Sequence, residues 1–116
     1  LAKELLTHSE AGGPPDALFC GNDVIALGAL QYAQETGIRV PQELCIAGFD
    51  GISYASLAQI RLTTIRQDRQ RMGETATHLL LDEIESNSEP AVQKVLLTPT
   101  LLAQATTGDM RLDGAR

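Results

Sequence analysis

The chain has 116 residues, of which 43% are hydrophobic but only 3% aromatic, so it is one globular domain, or part of one, with an aliphatic core. Its formal net charge of −6, with few and interrupted basic residues, argues against phosphate binding by this chain itself. The sequence has neither a membrane-length apolar run nor a signal-peptide pattern. We therefore expect a cytoplasmic protein that does not contact the membrane.

Metal and cofactor chemistry find no support in the residue spacing. Cys20 and Cys45 form no CxxC pair, and we expect both to be buried, reduced thiols. His8 and His78 have no ligand partners at metal spacing, and the sequence contains neither a glycine-rich dinucleotide motif nor a P-loop. We predict no metal and no cofactor.

The first half of the chain predicts a strand–helix–strand unit. Residues 1–8 resemble the last turns of a helix that starts without an N-cap, which suggests a piece of a longer protein. Apolar runs predict buried strands over residues 17–20 and 44–49. Between them, residues 24–35 predict a helix that Gly37 ends in a left-handed cap. Such a unit places its two strands parallel in one sheet.

The second half predicts further alternating elements. Residues 62–67, with three β-branched side chains in a row, predict a third strand. Residues 69–86 predict a helix with one apolar stripe, which consists of Met72, Ala76, Leu79, Leu80 and Ile84. Two more strand-like runs cover residues 92–97 and 101–105. We expect residues 108–116 to form a polar, disordered tail.

Polar residues follow three of these strands. Asn22 and Asp23 follow the first, Asp50 ends the second and Gln67 ends the third. Because the carboxyl ends of parallel strands share one edge, we expect these side chains to converge. Mixed donors and acceptors suit a polyhydroxylated ligand such as a sugar or a nucleoside. The alternative is local: Asn22 or Asp23 only caps the helix, and Asp50 only makes an Asx-turn.

A hydrolase is a weaker alternative. The run Gly51-Ile52-Ser53-Tyr54-Ala55 resembles a nucleophile elbow after a strand, but its last position is alanine. His78 is the sole downstream histidine and falls inside a predicted helix, so no triad is complete. We predict that the chain is not an enzyme.

Four motifs resemble the LacI/GalR family of bacterial transcription regulators, in its order and spacing. They begin Asp-Ala-Leu-Phe-Cys-Gly-Asn-Asp at residue 16, Gly-Ile-Arg-Val-Pro at 37, Ala-Gly-Phe-Asp at 47 and Leu-Thr-Thr-Ile-Arg-Gln at 62. The resemblance implies a periplasmic-binding-protein-like α/β fold, a three-layer α/β/α arrangement on a parallel sheet. It assigns residues 1–66 and about 96–107 to the second lobe of an effector domain, and about 67–95 to a segment of the first lobe.

The resemblance also implies a function. Such regulators are repressors whose small-molecule effector binds between the lobes, and DNA would be bound only by an N-terminal domain outside this chain. It places Asn22, Asp50 and Gln67 against the effector, with Asp23 left as the helix cap. Gly51 stands where the family often has a second acidic or amide residue, which leaves the effector class open. A periplasmic-type sugar-binding protein of a transport system shares the fold and is the alternative.

The family dimerises through the second lobe. The predicted helix from residue 24 is apolar around most of its circumference, which fits burial of more than one face. We expect a homodimer or a higher oligomer, with exchange of the segment after Arg66 as one route, because the stripe on residues 69–86 would otherwise be exposed. The predicted dimer residues are Val24, Ile25, Leu27, Gly28, Gln31 and Tyr54.

Overall fold

A computed structural model describes residues 15–86 and 92–108. The predicted helix over residues 1–8 and the predicted tail beyond Gly108 lie outside the described residues. The elements in chain order are β1 (Ala17–Phe19), α1 (Asp23–Thr36), β2 (Cys45–Asp50), a 3-10 turn (Ser53–Ser56), β3 (Thr63–Arg66), α2 (Arg69–Glu85), β4 (Thr100–Leu102) and a second 3-10 turn (Ala105–Thr107).

The four strands form one sheet in the order β1-β2-β3-β4. Strands β1, β2 and β3 are parallel, with Phe19 beside Ala47 and Asp50 beside Arg66, whereas β4 runs antiparallel to β3. The predicted α/β class is confirmed, and its sheet is mixed rather than wholly parallel. The predicted strand over residues 92–97 is wrong. Those residues belong to a separate compact unit, whose described part has no strand that could pair with them.

Small residues bring α1 close to the sheet. Ala26, Ala29 and Ala33 are buried at helical spacing on the side of α1 that packs on β2. Leu44, Ile46 and Leu62 are the largest fully buried aliphatic side chains. Ala26, Ala29, Leu44, Ile46 and Leu62 belong to one aliphatic core, as the composition predicted.

The cysteines differ in their surroundings. Both thiols are free, Cys20 is buried and Cys45 is only half-buried, so the prediction of two buried thiols holds for Cys20 alone. Burial raises the pKa of the Cys20 thiol, which keeps it protonated and poorly reactive at neutral pH.

The chain divides into two compact units, which are described separately. The second unit consists of Gln67–Pro99 and the first contains the rest of the described chain. In the second unit, Asp68 caps α2 by accepting a hydrogen bond from the Arg71 N–H at 3.0 Å. No residue of α2 is buried, and Met72, Leu80 and Ile84 of the predicted stripe are exposed. None of the helices in the described part is long and apolar enough to cross a membrane.

Candidate functional site

The carboxyl ends of β1, β2 and β3 form one edge of the sheet, which we call the carboxyl edge. The parallel register brings the residues after Phe19 alongside β2, where the Cys20 N–H donates to the Ala47 carbonyl at 2.8 Å. Asn22 follows within three residues, and Asp50 is the last residue of β2. The structure therefore places Asn22 and Asp50 at the same edge. Gln67 is the first residue of the other unit, so its place in the site stays a prediction.

Asn22 is the N-cap of α1. Its backbone is extended, with φ −155°, and its Oδ1 accepts a hydrogen bond from the Ile25 N–H at 2.8 Å. The prediction that Asp23 is the cap is therefore wrong: Asp23 is already the first helical residue. Among the described residues, the Asn22 amide nitrogen has no hydrogen-bond partner, so Asn22 can cap the helix and still offer a donor to a ligand.

Asp23 points inward and is completely buried. Its Oδ1 accepts a hydrogen bond from the Thr64 hydroxyl at 2.5 Å, and its Oδ2 accepts one from the Ile52 N–H at 2.8 Å. The carboxylate thus joins α1 to β3 and to the segment after β2. Gly48 makes room for it, since a Cβ there would lie 2.3 Å from Asp23 Oδ1.

The Asp50–Gly51 turn has an unusual backbone. Asp50 has φ 106° and Gly51 has φ 66°, both in the region that side chains disfavour. A Cβ on Gly51 would lie 2.6 Å from Arg66 Cβ, so β3 also requires glycine at this position. Strained backbone conformations of this kind cluster at functional sites, and this one occurs at Asp50, which the sequence predicted to contact ligand.

Phe19 also lies at the carboxyl edge, and its exposure was not predicted from the sequence. The apolar run predicted a strand covered on both faces, but β1 is largely exposed and Phe19 retains 67% of its accessible surface. An exposed phenyl ring beside polar groups offers a flat apolar surface to a ring-shaped ligand. The signal was the aromatic residue itself, in a chain that has few.

The geometry of the described residues does not support a hydrolase site or a metal site. Ser53 begins a 3-10 turn rather than the α-helix that follows a nucleophile elbow, and His78 is an exposed residue of the other unit. Within residues 15–86 and 92–108, no group of three or more His, Cys, Asp or Glu side chains could hold a metal ion.

The predicted dimer residues divide into two groups. Val24 and Tyr54 are strongly exposed, at 66% and 67%, and Ile25 is 49% exposed. Gly28 and Gln31 are also exposed on α1. Leu27 is half-buried and packs against the core. We call the exposed helix residues Val24, Ile25, Gly28 and Gln31 the α1 face, whereas Tyr54 belongs to the 3-10 turn (Ser53–Ser56).

A largely parallel sheet with polar groups and a helix N-terminus at its carboxyl edge is typical of α/β domains that bind ligands. The chain belongs to the periplasmic binding protein-like domain family, whose model matches residues 1–107. The LacI-type resemblance is likewise confirmed by the relatives.

Relatives and solved structures agree on this class. The chain is 41% identical over 95 residues to the HTH-type transcriptional repressor PurR of Erwinia tasmaniensis. This alignment covers 82% of the chain and 28% of that repressor. A LacI transcriptional regulator from a Rhodococcus species has a TM-score of 0.80 at 33% identity, covering 92% of this chain and 38% of that one. The lac repressor dimer bound to operator and the anti-inducer ONPF has a TM-score of 0.75 at 31% identity, and the match covers 92% of this chain and 31% of that one. The chain thus spans about a third of the proteins it matches.

Proposed function

We propose that this chain is the effector-binding and dimerisation part of a LacI-type transcriptional repressor. The observation that carries the proposal is that Asn22 and the strained Asp50 turn lie at the same carboxyl edge of a periplasmic binding protein-like sheet. The relatives reported above are named as transcriptional repressors or regulators rather than as enzymes or transport proteins. DNA binding would come from another part of the longer protein, in keeping with this chain's acidic character.

The effector in this proposal is a sugar or a nucleoside. The Asn22 amide supplies a donor, the Asp50 carboxylate accepts from hydroxyl groups, and Phe19 offers an apolar ring face. A carboxylate that accepts hydrogen bonds from a ligand gives stronger bonds than a neutral acceptor does. Gln67, the first residue of the unit Gln67–Pro99, stays a predicted effector contact. In the longer protein, the first lobe would cover the exposed stripe of α2.

The proposal predicts that the Asp50→Asn variant of the full-length protein loses effector affinity by about tenfold to a hundredfold, since a hydrogen bond to a charged group contributes about 1.5–3 kcal/mol. Asparagine tolerates positive φ, so the turn itself should survive. Binding is measured by isothermal titration with D-galactose, D-ribose, adenosine and inosine, after a thermal-shift screen in which ligand at 100 times its Kd adds about 2.7 kcal/mol.

The matched control is Asp16→Asn, which makes the same charge change at an exposed aspartate before β1, at the opposite edge of the sheet. It should bind like the wild type. Equal affinity of Asp50→Asn and wild type would contradict the proposed site, and binding of none of the four compounds would contradict the effector class.

The α1 face should form the dimer interface. We expect Val24→Asp to raise the dimer dissociation constant of the full-length protein at least tenfold, because a charge would be buried between the subunits. The monomer should tolerate the change, since Val24 is exposed and an aspartate suits the first turn of a helix. Sedimentation equilibrium gives the constant. Gln42→Asp adds the same charge at an exposed position outside the α1 face and should leave it unchanged.

A further inference from the structure

Two buried side chains lie directly behind the Asp50–Gly51 turn. The Gly51 N–H donates to Thr64 Oγ1 at 3.3 Å, and the Ile52 N–H donates to Asp23 Oδ2 at 2.8 Å. These are the first two backbone N–H groups after Asp50. Both are thus held by side chains from other elements, Thr64 from β3 and Asp23 from α1.

The two side chains also hold each other. The Thr64 hydroxyl donates to Asp23 Oδ1 at 2.5 Å, and neither side chain has any accessible surface. A buried carboxylate with a donor on each oxygen has a fixed position, because losing either bond leaves a charge unsatisfied away from water. Thr64, Asp23 and the turn therefore form one connected network, which we call the turn clamp.

A turn of this shape needs such support. Asp50 at φ 106° occupies a sparsely populated backbone region, and a residue keeps such a conformation only where its surroundings impose it. The clamp supplies two hydrogen bonds immediately after the strained residue. We propose that Asp23 and Thr64 are positioning residues of the effector site: without contacting ligand, they hold the turn that presents Asp50 at the carboxyl edge. This inference depends on the function proposed above.

Neighbouring Thr63 provides an internal comparison. It is also buried on β3, but its hydroxyl donates to the Gln104 carbonyl at 3.1 Å and accepts from the Gln104 N–H at 2.8 Å. Its bonds hold the segment after β4 rather than the turn. Thr63→Val and Thr64→Val therefore make the same isosteric change at adjacent buried positions, and only the second removes a clamp bond.

The test is hydrogen–deuterium exchange of the full-length protein, resolved at the Gly51 and Ile52 amides. Thr64→Val should speed amide exchange at Gly51 about tenfold, because a net hydrogen bond contributes up to about 1.5 kcal/mol. Amide exchange at Ile52 should speed up by a smaller factor. Thr64→Ser retains the hydroxyl and should restore wild-type exchange. Thr63→Val should leave both amides unchanged. The inference is overturned if Thr64→Val leaves Gly51 exchange unchanged, or if Thr63→Val speeds it equally.

Ligand binding separates this inference from the function on which it depends. Thr64→Val should weaken binding of whichever of the four compounds the wild type binds, again about tenfold, and Thr63→Val should not. Faster Gly51 exchange with unchanged affinity would overturn the positioning role. If the wild type binds none of the four, the proposed effector class fails, while the exchange measurement still decides whether the clamp holds the turn.

Discussion

The Gly48→Ala substitution should lower the free energy of unfolding by about 3 kcal/mol, since overpacking alone costs about 1–3 kcal/mol and a displaced buried carboxylate adds to it. The new Cβ would lie 2.3 Å from Asp23 Oδ1, 3.1 Å from Asp23 Cα and 3.2 Å from Ala26 Cβ. The positions of the last two atoms are fixed by the backbone of α1, so no side-chain rotation can move them away. Either the helix moves off the sheet or Asp23 leaves its partners. Urea denaturation of the full-length protein measures the loss.

Gly21→Ala is the control for that experiment. Gly21 lies near the carboxyl edge and has no positive φ, and a Cβ there would meet nothing within 4 Å. Its effect on stability should stay within about 0.5 kcal/mol. A Gly48→Ala variant as stable as Gly21→Ala would mean that the close packing of Gly48 on Asp23 does not exist in solution.

The parts of the fold that local patterns control were predictable. The helix predicted over residues 24–35 is Asp23–Thr36, and Gly37 ends it with φ 76°, as its residue type indicated. The strands of the βαβ unit also lie where the apolar runs placed them, and they are parallel. In each case the determining residues are within a few positions of one another, so the sequence displays the cause directly.

Long-range contacts decide what the sequence did not show. Asn22 and Asp23 are both good capping residues, and Asp23 turns inward because Thr64, 41 positions away, donates to it. The run over residues 92–97 has the composition of a strand but no partner strand among the described residues of its unit. Antiparallel β4 pairs with β3 through a register that no local pattern contains.

The candidate site shows the same division. Asn22 and Asp50 could be predicted to meet, because parallel pairing alone puts strand ends at one edge. Three other features of the site could not be predicted: the exposure of Phe19, the positive φ of Asp50 and the turn clamp. Each depends on which elements cover which side of the sheet. The residues that shape the site are therefore further from it in sequence than the residues proposed to touch ligand.

Gly51→Ala should be about as damaging as Gly48→Ala, with a loss of about 3 kcal/mol, for two separable reasons. Its φ of 66° disfavours a side chain, and its Cβ would lie 2.6–2.7 Å from the Cβ, Cα and Cγ of Arg66. Gly37→Ala separates them, because Gly37 has φ 76° with nothing within 4 Å of a Cβ, so only the conformational cost of about 1 kcal/mol applies. Urea denaturation of both variants should show the larger loss for Gly51→Ala, and the difference measures the contact with β3. Equal losses would show that Arg66 yields, and the Asp50 turn would then rest on the clamp of Asp23 and Thr64 rather than on the close fit of Gly51 against β3.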